Sequence, residues 1–283
     1  IADVVVAEAY VILDADPSGS SVRVLLHGAA AGGMSDTRAF DDAQVTITRS
    51  DGLVLDLVRR DTIEVCVRTR PSEATGTCFT ARAADVARLE PSDRLDLEIR
   101  LGDGGRLDGS LTVPGPFALE PGLEPACVLP PDVPLPVRWR GSEGAWAYVN
   151  ETMIEGLRDA LAPEGIEVEE DPLYLLGLSI SSSDTTIVFP GEFGVFERFD
   201  LDQDLALRLQ RGLPDGASAQ VSIAAVERNY VNWARGGSFN PSGQVRVPSV
   251  RGDGSGVFGA ALVRRFGVTV SGAPGAGPVC PLP

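Results

Sequence analysis

The sequence predicts a mainly β protein: two immunoglobulin-like antiparallel β-sandwich domains joined by a proline-rich linker, with one or two short helices in the second domain. Three observations point there. Apolar residues recur at every second position through short segments, which is the period of a half-buried strand. Turn-forming clusters such as "DADPSGS", "SDG" and "GDGG" separate those segments at close intervals. Eight prolines fall between Pro114 and Pro136. Each fixes φ and removes a backbone donor, so that stretch is expected to be extended and stiff. The expected division is a first domain over 1–113, a linker over 114–137 and a second domain over 138–283.

In the first domain, "DVVVAEAYVIL" and "SVRVLLHG" are β-branched apolar runs around a turn. "AQVTITRSDGLVLDLVRRD" predicts a hairpin: Val45 and Ile47 alternate with polar residues, Ser50-Asp51-Gly52 turns, and Leu53, Leu55 and Leu57 resume the alternation. "EVCVRTRPSEATGTCFTAR" predicts two short strands around a loop, and "AADVARL" one helical turn. In "DRLDLEIRLGDGGRLDGSLTVPG", Leu95, Leu97, Ile99 and Leu101 share a face before Asp103-Gly104-Gly105 turns the chain. Leu107, Leu111 and Val113 then return.

Beyond the linker, "LPVRWRG" and "GAWAYVNETMI" read as strands. Met153, Ile154, Leu157 and Leu161 also share one helical face, with Asn150 as N-cap and Pro163 as the stop. "LYLLGLSISSSDTTIVF" is a long apolar run with a polar end. "DLALRLQRG" and "SAQVSIAAVE" are expected as further β segments. "RNYVNWARG" predicts one or two helical turns with Tyr230 and Trp233 on the core side, and "GVFGAALVRRFGVTV" a closing strand.

Composition excludes several functions. A net charge of −16 is the wrong sign for a nucleic-acid or anionic-lipid surface. All 24 basic residues are arginine, so there is no Schiff-base amine and no P-loop lysine. No apolar run reaches the 18 residues or so of a transmembrane helix. The four cysteines, Cys66, Cys78, Cys127 and Cys280, form no C-x-x-C pair, and one histidine is too few for an ordinary zinc site. Two disulfides and an oxidising compartment fit them best, Cys66 with Cys78 and Cys127 with Cys280, against the alternative of four free buried thiols.

Several short motifs invite chemistry. Gly254, Gly256 and Gly259 spell G-x-G-x-x-G. A dinucleotide loop needs a buried parallel strand before it and an acidic residue about 20 positions after it; Pro248 precedes it and no Asp or Glu follows. A glycine-rich turn into a strand is expected instead. Arg251-Gly252-Asp253 spells an adhesion tripeptide, a match common by chance. Asp200, Asp202 and Asp204 stand at Ca²⁺-loop spacing, but Leu205 and Arg211 occupy the positions where an EF-hand requires Gly and Glu; a solvated acidic turn is the plainer reading, and a calcium site of another kind is the alternative.

His27 has no nucleophile elbow to serve. Glu167, Glu169, Glu170 and Asp171 supply carboxylates, though a charge run is ordinarily a solvated loop. Asn150-Glu151-Thr152 is a glycosylation sequon. Trp139, Trp146 and Trp233 are core aromatics or, if exposed, interface residues. No catalytic residue, cofactor or metal is expected.

Two stretches carry a resemblance. "RLDLEIRLGDGGRLDGSLTVPGP" is similar to the end of the first domain in a bacterial lipoprotein family of unknown function. "VSIAAVERNYVNWARGG" followed by "GDGSGVFGAAL" resembles that family's C-terminal region, where an aromatic Y-x-x-W turn precedes G-x-G-x-F-G. The resemblance implies a lipid-tethered extracytoplasmic protein of two β-rich domains, its lipidated cysteine lying before Ile1 and so outside this sequence.

The expected function is a non-enzymatic periplasmic or cell-envelope subunit for binding or scaffolding. It would dock on a membrane protein complex through a partner or lipid anchor. One host is an outer-membrane transporter. The other, carried by no motif, is a photosynthetic reaction-centre and antenna assembly braced by a membrane-extrinsic subunit. The competing reading is a carbohydrate-binding module or a carboxylate-based polysaccharide hydrolase.

Overall fold

The computed structural model describes residues 4–28, 40–67, 75–120, 123–179, 181–191, 203–235, 247–273 and 276–280. In chain order the first strands are β1 (Val5–Asp14), β2 (Ser21–Gly28), β3 (Gln44–Arg49), β4 (Val54–Arg59), β5 (Thr77–Thr80), β6 (Arg94–Arg100) and β7 (Arg106–Thr112). There follow β8 (Leu119–Glu120), β9 (Ala126–Leu129), β10 (Leu135–Trp139), β11 (Ala147–Glu155), β12 (Leu173–Leu178), β13 (Thr186–Phe189), β14 (Ser218–Val226), β15 (Val250–Gly252) and β16 (Gly254–Val270). The helices are α1 (Ala83–Val86), α2 (Leu157–Leu161), α3 (Gln203–Leu209) and α4 (Arg228–Arg235). The mainly β expectation is correct.

The division of the chain differs from the expected one. One unit is Ile1–Pro116 with Val226–Leu262; the other is Phe117–Ala225 with Val263–Pro283. β16 is long enough to contribute its first half to one unit and its second half to the other.

The first unit is a barrel, not an immunoglobulin-like sandwich. Its strands follow the order β1-β2-β5-β4-β3-β6-β7-β15-β16, and β16 pairs again with β1, so nine strands close. The alternation seen in the sequence fills the interior. Val45 stands opposite Leu57 and Ile99, and Ile47 opposite Leu55 and Leu97. All six are buried. Closure uses the glycines. A Cβ on Gly256 would collide with the Ala7 carbonyl oxygen, and one on Gly254 would press on Val5. The G-x-G-x-x-G stretch is thus a close approach of two backbones in a strand. Closure removes both free edges, which a sandwich would keep.

The second unit has two layers. One is the sheet β13-β10-β8, the other holds strands β16, β14, β11 and β12. Tyr148 of β11 joins the layers, edge-on to Trp139 at 5.2 Å and to Phe117 at 5.9 Å between ring centroids. β9 lies parallel to the end of β16, with Ala126 opposite Gly267 and Leu129 opposite Val270.

The proline-rich segment is not a linker: it supplies β8, β9 and β10 of this unit. Proline is tolerated in β10 because β8 reaches only Arg138 and Trp139, so Pro136 has β13 alone as a neighbour. Two further expectations fail. Asn150, Met153 and Ile154 belong to β11, and the helix begins only after Gly156, whose φ of +83° ends the strand. "DLALRL" is helix α3, because Leu205, Arg208 and Leu209 bury one face at helical spacing.

Candidate functional site

Two surfaces have the geometry of a site, one in each unit. In the first unit, neighbouring strands β3, β6, β7 and β15 set polar side chains in rows on the solvent side. Thr48 stands opposite Asp96, which stands opposite Ser110; Glu98 stands opposite Asp108, which stands opposite Arg251. These residues, with Arg106 and Ser249, line a groove of about 570 Å³. Cross-strand pairing makes the rows, since directly opposed residues share a face.

Glu98 is held by arginine: Arg106 Nη2 donates to it at 3.1 Å, and Arg100 donates from its own strand. Ser249 Oγ accepts the Phe258 N–H at 2.9 Å. Asp96 and Asp108 are diagonal neighbours on β6 and β7. The groove offers carboxylate, guanidinium and hydroxyl groups, and none of the described residues that line it is aromatic. Such a wall hydrogen-bonds a polar ligand without giving it a stacking platform.

In the second unit the surface is β12 itself. It pairs with β11 on one side and, among the described residues, with nothing on the other. Leu173 and Leu175 point inward and are buried, while Tyr174 is 60% and Leu176 43% exposed. Leu176 lies opposite Glu151 and Tyr174 opposite Met153, so the outer face of the β11–β12 ribbon mixes apolar and acidic groups.

The residues singled out in the sequence are dispersed. Asp200 and Asp202 lie outside the described residues, and Asp204 sits in the exposed first turn of α3. No cluster of three or more potential metal-ligating side chains occurs among the described residues. His27 is half-buried on β2, with Nδ1 3.0 Å from the Gly28 carbonyl and Nε2 3.9 Å from Glu8. Arg251, Gly252 and Asp253 are exposed, but the Asp253 carboxylate accepts the Arg106 N–H at 2.8 Å and Arg251 belongs to the groove. Adhesion would need both side chains presented from one tip.

Asn150 is buried in β11, where no glycan fits. Trp139 is 5% exposed and belongs to the core, which removes it as an interface residue; Trp146 is 47% exposed and Trp233 half-buried. Glu167, Glu169 and Glu170 are exposed, and Asp171 accepts the backbone N–H groups of Gly156 and Arg158. The four cysteines form two bonds, Cys66–Cys78 and Cys127–Cys280. Cys66 lies in a turn rather than on a strand.

Two buried charged groups were not legible beforehand. Glu227 precedes α4 and accepts backbone N–H groups from Asn229, Tyr230 and Ala260, at 2.6, 2.8 and 3.3 Å. Burial raises its pKa, and the three donors only oppose the shift. Arg208 of α3 bonds Glu164 at 2.8 Å, Asp132 at 2.7 Å and the Gly212 carbonyl at 3.2 Å. Burial alone lowers its pKa, but the two carboxylates outweigh burial and hold it raised. Both are internal ties. A glutamate two residues before a helix interior was the available signal for the first; nothing in the sequence marked the second.

No protein-family model matches the chain, and no characterised protein is significantly similar to it in sequence.

Proposed function

We propose that this protein is a non-enzymatic extracytoplasmic subunit that binds or scaffolds a membrane protein complex, in the periplasm or cell envelope. One observation supports it above the rest: Tyr174 and Leu176 of β12 are both exposed on a chain that is otherwise strongly acidic. Contiguous exposed apolar groups are a mark of protein contact.

Two disulfides suit an oxidising compartment. No helix among the described residues is long and apolar enough to cross a membrane, so attachment would run through a partner or a lipid anchor. The lipoprotein resemblance of residues 94–116 and 221–262 favours an outer-membrane transporter as host; a photosynthetic reaction-centre and antenna assembly is the other. The test is affinity purification from native membranes followed by mass spectrometry. Membrane-protein subunits at fixed stoichiometry are expected. Recovery of the protein alone would overturn the proposal.

A second reading is favoured by the groove, where Asp96 and Asp108 face solvent in a concave polar site. It is that of a carbohydrate-binding module or carboxylate-based hydrolase. Release of reducing sugar from a polysaccharide panel, lost in Asp96→Asn or Asp108→Asn, would establish it.

A further inference from the structure

We infer that the polar groove of the first unit binds a dibasic amino acid, a small molecule carrying two cationic nitrogens and one carboxylate. This goes beyond docking and concerns only the groove on β3, β6, β7 and β15. The first argument is which groove charges are already spent. Glu98 accepts from Arg106 Nη2 at 3.1 Å on one carboxylate oxygen and from Arg100 Nε on the other. Arg106 is engaged by the same contact. The side chains of Asp96, Asp108 and Arg251, by contrast, make no hydrogen bond or ion pair among the described residues, and all three are exposed.

Two carboxylates and one guanidinium are thus left to a ligand. Their complement is two positive charges and one negative. A neutral sugar would cover all three and leave each without a counter-charge. A linear diamine would answer the carboxylates and set a like charge beside Arg251. A diacid would be repelled by both aspartates. An amino acid with a basic side chain answers all three groups.

The second argument is spacing. Asp108 and Arg251 stand directly opposite each other on β7 and β15, which puts their Cβ atoms about 5 Å apart. An ammonium and a carboxylate borne on one carbon match that pair. Asp108 stands opposite Glu98 and Asp96 opposite Ser110, so the two aspartates are diagonal neighbours. Diagonal positions lie about 7–8 Å apart, a gap that a side chain of lysine length crosses. Thr48 and Ser110 stand on either side of Asp96 and add hydroxyl acceptors for the second cation.

The wall is also held in place without a ligand. The Asp253 carboxylate accepts the Arg106 N–H at 2.8 Å, and Asn229 Nδ2 donates to the Ser110 and Phe258 carbonyls, both at 3.1 Å. A site built on braced strands loses little freedom on binding. Its volume of about 570 Å³ is that of a small-molecule site.

The experiment is calorimetric titration of the full chain with L-lysine, pentane-1,5-diamine, L-norleucine, L-glutamate and cellotriose. L-Lysine is expected to bind saturably, and about tenfold or more tighter than each of the others. The diamine lacks the carboxylate that Arg251 takes, and norleucine lacks the side-chain cation that Asp96 takes. Asp96→Asn and Asp108→Asn should each weaken lysine about tenfold, and Arg251→Gln should abolish its preference over the diamine. Asp56→Asn, an exposed carboxylate of β4 outside the groove, should leave lysine binding unchanged. Folding is checked by an unchanged denaturation midpoint.

No saturable heat with millimolar lysine would overturn the inference. So would diamine or glutamate binding as tightly as lysine, or an equal loss in Asp56→Asn and Asp96→Asn. Binding of cellotriose in place of lysine would overturn it in favour of the glycan reading. Docking is tested separately, because copurification of membrane subunits does not depend on the groove.

Discussion

Gly256 shows what a residue-level reading reaches and where it stops. The glycine spacing was visible, and its failure as a dinucleotide loop followed from Pro248 and the missing acid. That the glycines admit β1 was not legible, because Ala7 is nearly 250 residues away and backbone contact leaves no local pattern. Gly256→Ala is expected to destabilise by about 2–3 kcal/mol through overpacking against the Ala7 carbonyl. Gly277→Ala, which points into open space, should stay within about 0.5 kcal/mol. Equal urea midpoints for the two variants would refute closure at this position.

Glu227 gives a pH prediction. Its carboxyl is raised above the ordinary value of 4.5 by burial. A raised native pKa favours folding most when the group is protonated. Its contribution is therefore complete below pH 4.5 and declines as pH rises through the native value. The stability of the wild type relative to Glu227→Gln should fall as the pH is raised from 4.5. A difference that stays flat or grows over that range would contradict the burial account.

Elements were legible where period and turn chemistry agreed. The β3–β4 and β6–β7 hairpins have two-fold alternation around Ser50-Asp51-Gly52 and Asp103-Gly104-Gly105, and both occur as read. "NETMI" failed because its apolar residues satisfy both periods, and pairing of Met153 with Tyr174 and Ile154 with Leu173 decided for strand. α3 was missed because its anchor is a charged residue: Arg208 is buried, and a polar core position reads as surface. Arg208→Met is expected to cost about 1–3 kcal/mol. The value lies below that of a fully buried pair because Glu164 and Asp132 keep 41% and 56% exposure and are rehydrated. An unchanged denaturation midpoint would show that α3 docks without the clasp.

The disulfides also belong to this scale. Cys127–Cys280 closes a 153-residue separation and Cys66–Cys78 one of 12. Loop entropy predicts a larger loss for removing the longer one, about 5 against about 3 kcal/mol. Cys127→Ala with Cys280→Ala should also speed amide exchange at Val128, whose N–H is covered by Val279. Protection unchanged at Val128 would mean that the tail holds without its bond.

At the scale of the whole molecule, the sequence supported a β-rich, two-unit, disulfide-bonded protein but misplaced the units. Reading along the chain assigns each segment to its neighbours in sequence. Here the barrel takes back residues 226–262 after the second unit has begun, and one 17-residue strand contributes to both. No local signal distinguishes a strand that closes a barrel from one that extends a sandwich. The candidate surfaces were illegible for the same reason. The groove rows and the β12 edge are products of strand order, and only their residue types were open to inspection.

The claim that most depends on that order is that the protein acts by docking a partner at β12 and not by chemistry in the groove. Site-specific photocrosslinking in native membranes separates the two. A photoreactive residue in place of Leu176 should give a discrete adduct with a membrane-protein subunit, and the same probe at Thr48 in the groove should not. An adduct at position 48 with none at 176 would contradict the account.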